Sequence, residues 1–178
     1  MKFLWRITGI LTVCAGMAAC EVTPAPASRE ETDSVFVTAH IQCYGQYYPN
    51  IGKNVISVDM LSRGLSFDSL YHITGSGVNL YLSDIFVPLT DTVLTAGIYT
   101  IDTTAEEYTM IPAVDCHPGL TGAYLLRIVD SSITDTLLFT NGEMTVTQWA
   151  DSVMLQFALS TAHGESYAGK TLPLPLRK

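Results

Sequence analysis

Residues 152–159 read S-V-M-L-Q-F-A-L, with a large apolar side chain at every second position. One face carries Val153, Leu155, Phe157 and Leu159, and the other carries Ser152, Met154, Gln156 and Ala158. A period of two is typical of a β-strand that buries one face. This stretch therefore predicts a sheet protein.

The same alternation recurs towards both ends of the chain. From Val35, one predicted face carries Val35, Val37, Ala39, Ile41 and Cys43, and the other carries Phe36, Thr38, His40 and Gln42. Further predicted strands are Asn54–Leu61, Val78–Val87, Gly97–Asp102, Ala123–Val129, Asp135–Thr140, Glu143–Trp149 and Ser166–Leu172. The sequence lacks a sustained helical period. It predicts an all-β fold, a single antiparallel sandwich or barrel of about seven to nine strands.

Three connections between these strands have their own signals. Asn141-Gly142 predicts a tight turn between the two strands that flank it. Two serines could cap a short helical turn near Leu65–Leu70. The segment Thr103–Thr121 contains Pro112, Pro118 and Gly119 and predicts a long loop, a type of segment that is often functional or mobile.

The N-terminus has the pattern of an export signal. Lys2 and Arg6 give a basic start, residues 7–17 are almost wholly apolar or small, and Ala18-Ala19 precedes Cys20. A basic start, an apolar run and small residues before a cleavage point predict a secretory signal over residues 1–19. The run is too short for a transmembrane helix, which needs roughly 20 apolar residues.

The end of this signal resembles the bacterial lipobox. Met17-Ala18-Ala19-Cys20 has a hydrophobic residue, two small residues and then Cys. The resemblance implies a lipoprotein with acyl chains such as palmitate on Cys20. Such a protein is anchored in the cell envelope, at the surface or periplasmic face of the outer membrane, and its membrane partner is bound through lipid. The alternative is a plain signal peptide cut after Ala19, with Cys20 a free thiol.

The remainder of the chain divides into a tether and a domain. Residues 20–34 are predicted as the lipidated Cys and a flexible tether, because Pro24 and Pro26 block regular structure and the acidic residues repel one another. Residues 35–178 are predicted as the all-β domain. The full chain carries a formal net charge of −8, which argues against binding nucleic acid through its phosphates.

Four short segments carry a family resemblance. They are C-Y-G-Q-Y-Y-P-N-I-G-K-N (43–54), G-E-M-T-V-T (142–147), S-V-M-L-Q-F-A-L (152–159) and H-G-E-S-Y-A-G-K-T-L (163–172). Together they resemble the first hairpin and the closing strands of small lipoproteins of the Bacteroidota cell envelope. Some of these proteins are lipocalin-like or calycin-like, so the resemblance implies an all-β envelope lipoprotein.

Two cysteines remain in the predicted domain, Cys43 and Cys116. In an oxidising compartment such a pair invites a disulfide, which would tie the long loop to the sheet. The alternative is two unpaired thiols. The cluster Asp115-Cys116-His117 could hold a reactive or metal-bound thiol, but adjacent side chains rarely converge and no second ligand pair is visible. We therefore predict no metal site and no cofactor.

The sequence also lacks the motifs of common enzymes. H-E-x-x-H, G-x-S-x-G and the phosphate-binding glycine loops are absent. No pair of carboxylates stands out. We therefore predict no catalytic residues and a protein that is not an enzyme.

The tyrosines around residue 47 give the best sequence-based prediction of a binding surface. Tyr44, Tyr47 and Tyr48 crowd a predicted loop together with Asn50, and aromatic faces with polar tips suit sugars and protein partners. The alternative is ordinary tyrosine enrichment in a sheet. We predict a non-catalytic module that binds a glycan, small ligand or protein partner through this loop or Thr103–Thr121. A calycin-like barrel with an apolar ligand and a structural subunit of an envelope or adhesion assembly are the other hypotheses.

Overall fold

The computed structural model describes residues 30–116 and 119–175, and all their regular elements are strands. The strands are β1 (Glu30–Gly45), β2 (Asn54–Ser62), β3 (Leu65–Phe67), β4 (Ile73–Gly75), β5 (Gly77–Val87), β6 (Gly97–Ile101), β7 (Thr109–Met110), β8 (Val114–Cys116), β9 (Gly119–Thr121), β10 (Ala123–Val129), β11 (Ser132–Gln148), β12 (Ser152–Thr161), β13 (Ser166–Thr171) and β14 (Leu174–Pro175). The predicted signal peptide, Cys20 and His117 lie outside the described residues.

The main sheet closes on itself. The strands β11, β6, β7, β5, β2, β1, β13 and β12 each bond to the next, and β12 bonds back to β11. Towards the other end of β5 and β11, β10 fills the space between them. The predicted all-β fold is confirmed, and its sheet forms a ring of eight strands.

The strand directions are mixed rather than wholly antiparallel. β1 pairs in parallel with β13, and β6 pairs in parallel with β7. The parallel pair β1–β13 joins the first and last long strands, and parallel neighbours require a long connection. Because most of the domain lies between these two strands, they satisfy that requirement. The main sheet is therefore mixed, and at these two pairs it departs from the predicted antiparallel arrangement.

One continuous hydrophobic core fills the fold. Its buried side chains come from β1, β2, β5, β6, β7, β10, β11, β12, β13, β14 and residue 94. Its largest members include Phe36, Tyr99, Phe139 and Tyr167, each at most 1% exposed. Removal of this apolar area from water is the main driving force for folding. Val153, Leu155, Phe157 and Leu159 all lie in this core, as their alternation predicts.

An irregularity in β1 reverses part of its predicted pattern. The register with β2 shifts between Phe36 and Thr38, and such a bulge moves every later side chain to the opposite face. Phe36 is therefore completely buried, whereas Val35 is 39% exposed. The alternation predicts Phe36 on the face opposite Ala39 and Ile41, but because of this shift all three side chains lie at the core. Beyond the shift, Ala39 and Ile41 lie on the same face, as their alternation predicts, and pack against the core.

Asn141-Gly142 does not form the predicted tight turn. β11 runs without a break from Ser132 to Gln148, and its register with β12 shifts between Phe139 and Asn141. Gly142 has a φ of 124°, and a Cβ atom there would clash with the carbonyl oxygen of Ala158. Two features therefore favour glycine at position 142. One is the positive φ at the bulge of β11, and the other is the close approach of β12.

Two other predicted connections are more ordered than expected. The segment near Leu65–Leu70 forms the hairpin β3–β4 in place of a helical turn. Thr103–Thr121 contains three short strands, β7, β8 and β9, and is not a single loop. In addition, β1 begins at Glu30, inside the segment predicted as the tether. Over the part of the chain that the structure describes, no helix has the length and apolar character of a membrane span.

Candidate functional site

A row of polar and aromatic residues crosses the outer face of the ring. His40 on β1 pairs with Asp59 on β2, Asp59 pairs with Tyr81 on β5, and Tyr81 pairs with Tyr124 on β10. The neighbours of Asp59 and Tyr81 along their strands lie in the core. Because successive side chains point to opposite faces, Asp59 and Tyr81 lie on the outside.

This row forms part of a groove of about 470 Å³ on the outer surface. The residues that line it are His40, Gln42, Tyr44, Ser57, Asp59, Phe67, Tyr71 and Tyr81. They come from three neighbouring strands of the ring and from the β3–β4 hairpin. The groove therefore combines four aromatic side chains with four groups that can hydrogen-bond.

The β3–β4 hairpin is fixed beside the groove by a small second core. Leu61, Leu65 and Ile128 form this cluster, and Phe67 and Ile73 pack against it. Phe67 is thus held by packing on one side while it lines the groove. The β3–β4 hairpin therefore forms one wall of the groove and is held in place by this hydrophobic cluster.

The turn between β3 and β4 is organised by Asp68. Its Oδ1 atom accepts hydrogen bonds from the backbone N–H groups of Leu70 (2.7 Å) and His72 (2.9 Å), and its Oδ2 atom lies 3.2 Å from His72 Nδ1. These bonds, led by the one from the His72 backbone, lower the pKa of Asp68. The turn presents the ring of Tyr71, which is 71% exposed, at the rim of the groove.

Three rings form a cluster on the hairpin side of the groove. The ring centroid of His40 lies 5.8 Å from that of Tyr71 and 6.5 Å from that of Phe67, and the last two are 6.4 Å apart. These distances lie within the range of favourable aromatic contacts. Tyr44 and Tyr81 line the groove from β1 and β5.

Asp59 places a carboxylate among these rings. Burial raises its pKa, whereas a hydrogen bond from Asn79 and the proximity of His40 act in the opposite direction. Burial disfavours the charged form of a carboxyl group because solvation by water is lost. The net direction shows that the loss of water outweighs the contacts that stabilise the negative charge.

The two tyrosines next to Asp59 are also affected by burial. The pKa of Tyr81 is raised by burial above all, with Tyr44 and Asp59 acting in the same direction. Burial, Tyr81 and Asp59 raise the pKa of Tyr124 to about 12. A tyrosine hydroxyl is already neutral at physiological pH with its ordinary pKa of 10.0, and the raised pKa values extend to higher pH the range in which both phenols keep a proton to donate.

The tyrosine loop predicted from the sequence only partly enters the groove. Tyr44 lines it, and the ring of Tyr47, which is 63% exposed, lies 6.0 Å from that of Tyr44 and 4.9 Å from that of Tyr48. Tyr48 is half-buried and donates a hydrogen bond from its hydroxyl to Asp84 Oδ1 (3.2 Å). Asn50 is exposed in the following turn and is not among the lining residues.

Sequence reasoning missed most of the groove. Its other lining residues are His40, Gln42, Ser57, Asp59, Phe67, Tyr71 and Tyr81. The sequence signal for them was the polar half of each alternating strand, in which Asp59 interrupts the apolar run of β2. That signal identifies outward-facing residues but does not show which of them meet.

The predicted cysteine pair stays a prediction. Cys43 is an exposed, free thiol in the structure, and the side chain of Cys116 lies outside the described residues, as does His117. Among the residues that are described, no three His, Cys, Asp or Glu side chains come together in an arrangement that could hold a metal ion.

A second and smaller groove of about 280 Å³ lies on β11, β12 and β13. Glu143, Gln156 and Lys170 supply its charged and amide groups, and Ala158 and Ala168 form small-residue surface between them. Phe157, its one aromatic lining residue, is only 2% exposed. This groove offers a ligand less aromatic surface than the groove around Asp59.

Comparisons with known proteins give no match for this chain among protein-family models, curated proteins or solved structures. Its function is therefore inferred from the chemistry of its own residues.

Proposed function

We propose that the chain is a lipid-anchored extracytoplasmic module that binds a small ligand, such as a glycan, without catalysis. The aromatic groove around Asp59 carries this proposal. Binding sites for small molecules are concave and combine apolar or aromatic walls with a few polar groups that fix orientation. Phe67, Tyr71, Tyr44 and Tyr81 supply the walls, and Asp59 is one of the polar groups.

The exposure of the rings favours ligand binding over a purely structural role. Tyr71 is 71% exposed, and an exposed aromatic ring stabilises the fold far less than a buried one. The clustered faces of Tyr71 and its neighbours offer a sugar ring or another flat apolar surface a place to lie. Hydroxyl, amide and carboxylate groups on the groove floor can then bond to polar substituents.

The packed core weighs against the alternative of a calycin-like carrier of an apolar ligand. Such a carrier holds its ligand inside the ring of strands. Here Phe36, Phe139, Phe157 and Tyr167 fill that interior together with aliphatic side chains. A ligand on the outer face is compatible with this packing.

Ligand binding is tested with the mature protein, purified from membranes after export, and a panel of oligosaccharides and small metabolites. We expect ligands of the groove to bind Tyr71→Ala at least about fivefold more weakly, since an aromatic contact contributes about 1 kcal/mol or more. Leu70→Ala is the matched control, because Leu70 is 72% exposed in the same turn but does not line the groove. Equal losses in both variants, or no loss in Tyr71→Ala, would show that the groove is not the binding site.

The lipid anchor is tested separately in cells. The wild-type precursor and a Cys20→Ala twin are labelled with an alkyne fatty acid, and intact cells are treated with protease. We expect label on the wild type only. Label that resists protease would assign the protein to the periplasmic face, and absence of label from the wild type would contradict the lipoprotein assignment.

A further inference from the structure

The groove contains a carboxylate, Asp59, that has no Lys or Arg partner and whose one basic neighbour is His40. Among the described residues, the ion pairs engage Glu106, Asp68 and Asp135. Asp59 instead accepts a hydrogen bond from the side-chain amide of Asn79 and lies across the strand pair from His40. Burial raises the pKa of Asp59 despite Asn79 and His40, so these two neighbours compensate only part of the lost solvation of this carboxylate.

The walls around that carboxylate are suited to positive charge. The face of an aromatic ring attracts an ammonium group within about 6 Å of its centroid. Tyr44, Phe67, Tyr71 and Tyr81 provide four such rings in the same groove. A ligand cation could therefore contact ring faces and the Asp59 carboxylate at the same time.

The charge of the whole chain acts in the same direction. Its 17 acidic residues outnumber its 9 basic residues, which produces an attractive potential for cations and a repulsive one for anions. Of the two grooves described above, only the smaller has a Lys in its lining, and the basic side chain that lines the groove around Asp59 is His40. The groove around Asp59 therefore favours cationic ligands on local and on long-range grounds.

We propose that this groove binds a small organic cation, with the ammonium group over the carboxylate of Asp59 and between the aromatic side chains. The proposal rests on the proposed function and specifies the ligand of the same site. The ammonium group can be quaternary, as in choline, or primary on a sugar ring, as in glucosamine. Both present the same charge to Asp59, and the experiment distinguishes them.

The test compares each cation with a neutral molecule of the same shape. Full-length mature protein is titrated calorimetrically with choline against 3,3-dimethyl-1-butanol, and with glucosamine against glucose. We expect at least one cation to bind about tenfold or more tightly than its neutral counterpart, from a desolvated cation–aromatic contact and the charge of Asp59. The pair that shows the difference identifies the type of ammonium group.

Asp59→Asn tests the role of the carboxylate directly. This variant retains an oxygen that can accept the bond from Asn79, and it should remove the preference for the cation while leaving the neutral molecule unaffected. Asp84→Asn is the matched control. Asp84 lies on β5 and is half-buried like Asp59, but it does not line the groove. It changes the net charge equally and should retain the preference.

The outcomes separate this inference from the proposed function. Equal binding of cation and neutral molecule, equal effects of Asp59→Asn and Asp84→Asn, or no binding of either cation would overturn the inference. If Tyr71→Ala still weakens binding of neutral ligands in those cases, the groove remains the binding site. If Tyr71→Ala affects no ligand, the proposed function fails as well.

Discussion

The side-chain amide of Asn79 on β5 donates a hydrogen bond to the Asp59 carboxylate on the neighbouring strand β2. Asn79 is only 3% exposed, and its Nδ2 atom also lies 3.2 Å from the backbone carbonyl oxygen of Met60. The amide is therefore held in place and orients Asp59 from one side. This contact only partly offsets the burial that raises the pKa of Asp59.

Asp59→Asn is expected to stabilise the protein at neutral pH. Because the folded-state pKa of Asp59 is raised, its stabilising contribution is complete below the ordinary value of 3.8 and is lost as the pH rises through the folded-state pKa. The variant is neutral at every pH and avoids that loss. Its Tm relative to wild type should increase between about pH 3 and pH 7, measured by thermal melts followed by circular dichroism.

Asp102→Asn provides a control of opposite sign. Backbone and side-chain hydrogen bonds from Thr104 lower the pKa of Asp102, so its contribution is present at neutral pH and lost on acidification. We expect this variant to be less stable than wild type at pH 7 and to approach it at low pH. If both variants shift in the same direction, general charge repulsion rather than the local environment determines the effect.

Tyr48→Phe tests the hydrogen bond between the tyrosine loop and β5. Loss of the hydroxyl removes the bond to Asp84 and should cost about 1 kcal/mol of unfolding free energy. Since that bond lowers the pKa of Asp84 against the larger effect of burial, the pKa of Asp84 should rise further in the variant. Denaturant titration and the NMR titration of the Asp84 carboxyl carbon measure the two effects.

Tyr47→Phe is the comparison for that variant, because it removes a hydroxyl from the same loop on a largely exposed ring. A similar pKa change at Asp84 in both variants would mean that the effect does not come from the Tyr48 bond.

Gly142→Ala tests the bulge of β11. The φ of 124° is strained for alanine, and its Cβ atom would clash with the Ala158 carbonyl oxygen and approach Leu159 Cα. We expect a loss of at least about 2 kcal/mol of unfolding free energy. Gly164→Ala is the matched control, because Gly164 also has a positive φ of 85° but a Cβ atom added there would meet no other atom within 4 Å.

That control should lose only about 1 kcal/mol, the cost of a left-handed conformation for a residue with a side chain. Denaturant midpoints of the two variants decide the comparison. Equal losses would mean that close approach of β12 contributes nothing, and that backbone conformation alone accounts for the glycine.

The sequence predicts individual strands better than their arrangement. Ala123–Val129 has the same bounds in prediction and structure, since Gly122 and Asp130 with positive φ interrupt the pattern on either side. The break in the alternation of β1 after Phe36 could not be predicted, because the extra residue of this bulge leaves no local sequence signal. The closure of the sheet into a ring could not be predicted either, since it requires the pairing of β1 with β13, which lie at opposite ends of the domain sequence.

The groove residues likewise divide into those that local sequence predicts and those that only the arrangement of the strands brings together. Tyr44 was found because tyrosines cluster around it along the chain. Asp59 was missed because its groove partners, such as His40, Tyr71 and Tyr81, lie on three other segments and meet it only through strand register and the hairpin. Local composition predicts aromatic surface, whereas the ligand chemistry depends on contacts between distant segments.

The final prediction concerns the reactivity of the Cys43 thiol. A free thiol, as in the structure, and a Cys43–Cys116 disulfide lead to different labelling results. The side chain is exposed and free, so a maleimide should label the folded, exported protein at Cys43 without reductant. Cys43→Ser should lose this label. A Cys43–Cys116 bridge would instead prevent labelling until reductant is added, and reduction would then remove about 3–4 kcal/mol of unfolding free energy. Labelling and Tm, each measured with and without reductant, therefore decide whether the β8–β9 segment is tied to β1 by a covalent bond.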